Sequence, residues 1–340
     1  MGGAPVTRRP ARRFDNRPSM AFYIARRLVW TLLVVVIVLM ITYAVFFLLP
    51  DGDVATRFAG KAPTPELLQQ IRIRLGLNHP WPLQFLYFVK HFFTGDAYGW
   101  PGLGYSFGGG VSVLSEVTQR APRTLWLIAG ASVIWLTTGV AIGVISAIKR
   151  RTIVDRAAMG FALVGISAPV FWLGLMALWI VWRTLHLTSG TGYTPISQGV
   201  GAWAGHLILP WTVLALLYAA FYARMTRNNL LETMGEDYIR TARAKGLSER
   251  RVILKHGLRS SLTPIVTMFG LDIALLVGGA IITESVFNIQ GLGWLAIQSA
   301  LNQDLPTLVG VVMLTATAVA VMNLVVDILY AFIDPRVRYS

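Results

Sequence analysis

The sequence predicts an all-α integral membrane protein with six transmembrane helices and both termini in the cytoplasm, on three observations. The 340-residue chain is 55% hydrophobic and only 14% charged, against roughly 25% charged in an ordinary soluble domain. Six apolar runs each approach the ~20 residues that a spanning helix needs. The 30 Lys and Arg residues are distributed so that alternate loops fall on opposite sides of a membrane. Only helices or closed barrels satisfy the backbone in lipid, and the runs have helical length.

Residues 1–27 form an Arg-rich cytoplasmic tail. Its first 20 residues are expected to be disordered and to serve as a topology determinant that touches anionic lipid. The first span, Leu28–Leu49, follows arginines as a secretory signal would. Its 22 residues exceed the roughly 7–15 of a signal core, and Leu-Leu-Pro-Asp-Gly-Asp stands where a small-residue cleavage site belongs.

Residues 50–123 make a long extracytoplasmic loop with short helices. Thr64-Pro65-Glu66 supplies a cap, a first-turn proline and an early acid, Leu67–Leu75 follows, and Gly76 stops the helix. Trp81–Thr94 is a second, aromatic helix, and Gly99–Gly110 reads as loose. Trp81, Phe85, Tyr87 and Phe88 are interface anchors on the simplest view; a shelf for an external partner is the alternative.

Residues 124–333 carry the remaining five spans: Thr124–Ile148, Ala157–Trp182, Leu207–Ala223, Leu262–Ile282 and Leu308–Ile333. Gly139 and Gly143 form a GxxxG pair, Gly160, Gly165 and Gly174 line the third span, and Gly278-Gly279 lie in the fifth; all permit close helix approach. Pro169 predicts a kink in the third span. A short tail, residues 334–340, ends the chain.

Seven Lys and Arg precede the first span, four lie in Lys149–Arg156, nine between Arg224 and Leu262, and two after Ile333. The loops Leu185–His206 and Thr283–Thr307 hold none. That alternation accounts for the net charge of +14 as membrane topology and leaves nucleic acid without a claim. The chain has no cysteine, so disulfides and thiolate metal sites are excluded.

The basic cytoplasmic loop 224–262 is the candidate functional element. From Asp237 a helix places Tyr238, Ala242 and Lys245 on one face. Acids at Glu236 and Asp237 suit its N-terminus and Arg243 with Lys245 its C-terminus. Gly246 is a natural residue to end it, and Ser248 is expected to cap a second helix, Glu249–Leu258. Within the spans Asp272 and Asp327 are the notable acids, since an intramembrane carboxylate is costly. Asp272 meets either a substrate amine or a juxtamembrane arginine, Arg224 or Arg227; Asp327 bonds to Asn323 or across helices. Glu284, at the outer end of the fifth span, is either part of an external gate or a plain surface carboxylate. Met225, Asn228 and Asn229 read as solvated loop positions at the inner mouth.

Residues Glu236–Gly246 resemble the coupling-loop motif of permease subunits of ABC importers, in the form found in peptide and nickel importers. Arg240, Thr241 and Ala242 take the places of its Glu-Ala-Ala, and Gly246 that of its glycine. Further likeness lies in Glu284-Ser285-Val286-Phe287, Gly291-Leu292-Gly293, Asp304-Leu305-Pro306, Asn323-Leu324 with Asp327, and Asp334-Pro335-Arg336. Pro264 follows later than the motif's usual proline, and Gln290 replaces a proline before Gly-Leu-Gly. Externally, Leu75-Gly76-Leu77-Asn78, Pro80 and Gly95-Asp96 belong to the same pattern, so the resemblance spans residues 22–338.

The resemblance implies a non-catalytic bacterial cytoplasmic-membrane permease that forms half of a pathway for di- or oligopeptides. It implies a second homologous permease, two cytoplasmic ATPase subunits that hold ATP and Mg, and an extracytoplasmic substrate-binding protein. The ATPase-coupling residues are then Tyr238, Arg240, Thr241, Ala242, Arg243, Ala244, Lys245 and Gly246, and the pathway candidates Asp272, Glu284, Asn323 and Asp327. The chain itself has no Gly-x-x-x-x-Gly-Lys-[Ser/Thr] loop. A nickel permease is the near alternative, disfavoured because no central span carries histidine. A proton-coupled secondary transporter using Asp272 and Asp327 is the rival from another class.

Overall fold

The structure, a computed structural model, describes residues 20–60 and 63–333. The expectations for residues 1–19 and for Asp334-Pro335-Arg336 lie outside the described residues. Helix α1 runs Met20–Tyr43 and continues as a π-helical turn, Ala44–Leu48. It therefore begins well before Leu28 and includes Arg26 and Arg27, whose long side chains tolerate the interface by snorkelling.

Outside the first span the chain builds a compact cap. Asp53 caps α2, Val54–Ala59, by accepting from Ala55 N at 3.1 Å. Arg72 of α3, Pro65–Arg74, pairs with Asp53 at 2.7 Å, and this bond holds the Asp53 carboxyl below the usual carboxylate range. Thr64 Oγ1 caps α3, and Gly76 ends the turn at φ +65°. Helix α4, Trp81–Thr94, packs Phe85 and Phe88 on Tyr43 and also sets Phe88 against Phe47, both Tyr43 and Phe47 lying at the outer end of the first span. Two short antiparallel strands follow, β1 Tyr105–Ser106 and β2 Val111–Ser112. The glycine-rich segment 99–110 is thus not loose. Asp96 accepts from Gly104 N at 2.9 Å, and Ser106 donates to Asp304 at 2.8 Å, pinning the hairpin to the far end of the chain.

Helix α5, Val113–Ile148, starts inside the stretch assigned from sequence to the external loop. Helices α6, Ile153–Ser167, and α7, Val170–Ala177 with a π-helical extension Leu178–Thr184, meet at 103°. The expected kink at Pro169 is therefore a sharp turn. Proline forces Ala168 into extended backbone and contributes no N–H to continue the helix.

Helix α8, Val200–Thr233, has 34 residues, roughly 50 Å at about 1.5 Å per residue. It overruns the apolar stretch Leu207–Ala223 at both ends. Met225, Asn228 and Asn229 are accordingly helical, and only Asn228 of the three is exposed. Then come α9, Asp237–Ala244, and α10, Glu249–Arg251, which passes through a π-helical turn, Val252–Gly257, into α11, Leu258–Ser261. Helix α12, Thr263–Val277, continues at a bend of 45°. Helices α13, Ile281–Val286, α14, Leu292–Leu301, and α15, Leu305–Ile333, complete the chain.

Among the described residues, four helices are long and apolar enough to cross a membrane, or six if each bent pair counts as one span. Helices α5 and α8 lie together along much of their length. Gly139 and Gly143 are the reason: a Cβ on Gly139 would stand 2.7 Å from Tyr222 Cβ, and one on Gly143 2.6 Å from the Ala223 carbonyl oxygen. Close packing of this kind replaces the hydrophobic drive that lipid removes. Gly165 serves likewise against Ala220 and Gly174 against Val286, whereas Gly160 faces open space.

Candidate functional site

The basic elbow 224–262 has its own small core. Ile239 and Ala242 of α9 and Val252 are buried together, with Met234 and Leu247 against them. The sequence reading that put Tyr238, Ala242 and Lys245 on one face is corrected: Ala242 is buried with Ile239, whereas Tyr238 and Lys245 are exposed. The outward face carries Tyr238, Arg240, Thr241, Arg243, Ala244, Lys245 and Gly246, all exposed. Gly246 takes φ +76°, the left-handed geometry that glycine adopts without strain, and its N–H donates to Arg243 O at 2.9 Å. Ser248 stands at the N-cap of α10, but its hydroxyl makes no capping bond; its carbonyl accepts from Arg251 N and Val252 N instead.

Arg243 closes the elbow by a two-bond pair to Glu249, Nη2 to Oε1 at 2.7 Å and Nε to Oε2 at 3.1 Å. The bond to Glu249 raises the Arg243 guanidinium above its ordinary value. Gly257 then lets the end of α8 settle on the π-helical turn, since a Cβ there would lie 2.9 Å from Met234 Sδ. The knob is thus packed on the turn that joins the end of α8 to the segment leading into α12, with a cationic surface.

One turn higher, Arg227 of α8 meets Asp155 of α6, Nε to Oδ1 at 2.7 Å and Nη2 to Oδ2 at 2.9 Å. Ser146 of α5 donates to the same carboxylate at 2.6 Å, and Arg151 N at 2.8 Å. Three helices, α5, α6 and α8, therefore converge on one buried acid.

Of the intramembrane acids, Asp327 bonds across helices as expected, whereas Asp272 takes neither of the expected arginines. Tyr222 of α8 donates to Asp272 Oδ2 at 2.6 Å, and neither Arg224 nor Arg227 pairs with it. Asp327 pairs with Arg27 of α1 at 2.9 Å, which ties the first helix to the last; Asn323 lies half-buried one turn away. Asp272 and Asp327 thus belong to separate clusters.

Glu284 is not a surface carboxylate. It is 0% exposed, accepts from Thr124 Oγ1 at 2.8 Å and from Trp294 N at 2.9 Å, and so joins α5, α13 and α14. Thr124 in turn accepts from Leu292 N at 2.8 Å. Gly291 leaves the space: a Cβ there would lie 2.3 Å from Thr124 Oγ1 and 2.7 Å from the Glu284 carboxylate.

Comparison with known proteins decides what this architecture belongs to. The family described as binding-protein-dependent transport system inner membrane component matches residues 139–339, and the N-terminal family of the same system matches residues 20–128. The chain belongs to this family. It is 38% identical over 320 residues to a probable peptide ABC transporter permease protein of Sinorhizobium fredii, covering 94% of this chain and 100% of the relative. It is 36% identical over 344 residues to the dipeptide transport system permease protein DppB of Escherichia coli, again covering 94% and 100%. Among solved structures, the inward-facing MetNI methionine ABC transporter aligns with a TM-score of 0.53 at 19% identity, over 65% of this chain and 97% of that one. That last likeness is one of fold.

In a permease of this family the sequence reading picked the elbow, yet it missed the Arg227–Asp155–Ser146 node and the Thr124 partner of Glu284. A signal for the first existed: Asp155 is the only acid among the basic residues of 149–156. None existed for the second, because Thr124 and Glu284 are 160 positions apart.

Proposed function

We propose that this chain is one of two transmembrane permease subunits of an ATP-driven importer of di- or oligopeptides. Six spans run with both termini in the cytoplasm, α6–α7 and α10–α12 each counting as one, as the distribution of Lys and Arg favours. A homologous second permease completes the pathway, two cytoplasmic ATPase subunits hold ATP and Mg, and an extracytoplasmic binding protein delivers the peptide. The peptide class follows from the names of the relatives above. This chain adds no catalytic step.

The observation that carries the reading is the exposed α9 knob, braced by the Arg243–Glu249 pair and packed on the π-helical turn Val252–Gly257, which Gly257 sets against the end of α8. A push on Tyr238, Thr241, Ala244 or Lys245 displaces no soft loop; it is passed to α8 and, through Arg227, to the α5–α6 turn. Closure of the ATPases tilts these helices and alternates access. The test is uptake and ATP hydrolysis by the reconstituted complex. Ala244→Trp and Lys245→Glu alter only the outward face, and each is expected to cut ATP-driven peptide uptake at least tenfold while the complex stays folded. Wild-type uptake in both variants would sink the coupling role.

A further inference from the structure

Within the bilayer, Asp272 sits in an aromatic recess built by three helices. It stands at the centre of the apolar run Leu262–Ile282, a run about as long as the ~20 residues that cross a hydrocarbon core. Tyr222, fully buried against Gly139, donates to Oδ2 at 2.6 Å. Tyr218, one turn earlier on α8, stacks on the buried Trp135 at 4.6 Å, and Phe269, three residues before Asp272, stands 6.0 Å from Trp135. Asp272 is half-buried at the edge of the face of α12 that bears Leu271 and Leu275, both exposed. That face is left without a neighbour by this chain.

A carboxylate has about four lone-pair positions, and Tyr222 fills one. Among the described residues no cationic side chain is paired with it. An acid placed at mid-bilayer with a single neutral donor calls for a positive partner from outside the chain. A hard metal ion needs several oxygen ligands, and among the described residues no three His, Asp or Glu side chains converge. A primary ammonium fits better. Its three N–H groups match the carboxylate positions that Tyr222, itself buried, leaves open, and aromatic rings such as those of Tyr218 and Phe269 favour a cation nearby.

We propose that Asp272, with Tyr222, Tyr218 and Phe269, binds the primary ammonium of the substrate, the free amino end of a peptide, as it passes the middle of the membrane. This rests on the peptide-permease reading above. The site selects charge at one end of the substrate and leaves its side chains unread.

The test uses the full complex in nanodiscs, with no binding protein present, so that any discrimination comes from the membrane subunits. Equilibrium binding of a dipeptide with a free amino terminus is compared with that of the same dipeptide N-acetylated. Wild type is expected to favour the free amine at least tenfold. Asp272→Asn keeps an acceptor for Tyr222 and is expected to abolish that preference with the N-acetylated peptide unchanged; Tyr222→Phe weakens it in part. Equal losses for both peptides in Asp272→Asn, or an undiminished preference, would overturn the proposal. If wild type takes up peptide with its binding protein yet binds the two forms equally, the site fails and the peptide reading stands. If wild type takes up no peptide at all, the peptide reading fails and the site falls with it.

Discussion

Arg227 of α8 grips Asp155 of α6 with two parallel bonds, Nε to Oδ1 at 2.7 Å and Nη2 to Oδ2 at 2.9 Å. Their side chains are 19% and 6% exposed, so the pair is largely shielded from water. Ser146 adds a third helix to it. Helix α8 ends three residues before α9, so on the coupling role proposed above this node is where a push on the elbow would reach the rest of the bundle.

Asp155→Ala leaves the Arg227 guanidinium buried without its partner, and breaking such a pair costs about 3–5 kcal/mol. The expected result is a clear drop in unfolding stability of the detergent-purified chain, with uptake lost alongside. Arg227→Lys should fall between, because an ammonium cannot match both carboxylate oxygens in one plane. Replacing both residues by Leu and Met should be milder than Asp155→Ala. A double variant as damaged as the single one would mean that the charges themselves are required.

The elbow makes a paired prediction from adjacent faces of α9. Ala242 is 7% exposed between Ile239 and Val252, so Ala242→Trp overpacks that core, at about 1–3 kcal/mol. Ala244 faces water, so Ala244→Trp should leave stability unchanged while obstructing a docked ATPase. Hydrogen exchange over residues 237–257 separates the two: faster exchange in the first, wild-type exchange in the second. Equal exchange in both would contradict the inward placement of Ala242.

Much of the local structure is legible in the chain. Thr64, Gly76 and Gly246 mark helix ends by capping chemistry that acts within a few residues, and α3 and α4 form where that chemistry puts them. The basic elbow is legible because charge distribution and a glycine stop are one-dimensional signals. Hydropathy, by contrast, records that 157–182 is apolar and says nothing of a 103° turn in it. It equally fails to show that α8 continues as helix past Ala223, since polar residues such as Arg227 and Asn228 are good enough helix formers. Thr124, Arg27 and Ser106, which bond to Glu284, Asp327 and Asp304, lie more than 150 residues away in the chain, and only tertiary packing brings them together. Ala242 was misplaced because a helix of eight residues has too few positions to fix its buried face by periodicity.

Glycines of the spans divide by what faces them. A Cβ on Gly139 would stand 2.7 Å from Tyr222 Cβ and 3.0 Å from the Ala219 carbonyl oxygen, whereas one on Gly160 meets nothing. Gly139→Val should therefore push α5 from α8 and lower stability by about 1–3 kcal/mol. Gly160→Val should be silent. Thermal unfolding in one detergent reads both, and a silent Gly139→Val would show that α8 shifts freely along α5, which its long contact argues against.

Glu284 gives the pH dependence of the outer segment, beyond the end of α12. Burial lifts its carboxyl above the usual range, outweighing the bonds from Trp294 N and Thr124. The charged groups facing this region are Arg120, which lies over the Trp294 ring at 5.1 Å and pairs with Glu116 at 2.7 Å, and Arg123, which donates to Gln290 Oε1 at 3.2 Å. A carboxyl whose folded value is raised holds its proton more tightly when folded. Its contribution to stability is full below the unfolded value of about 4.3 and is lost as pH rises through the raised one. Exchange protection of residues 281–301, corrected for intrinsic rates and referred to α9, should therefore be greater near pH 5 than near pH 8. Thr124→Ala removes a donor to the carboxylate, so it should steepen that fall. Glu284→Gln should flatten it, having no proton to lose. Protection that rises with pH in the wild-type chain would mean that the donors around Glu284 outweigh its burial, and that the carboxylate is held charged.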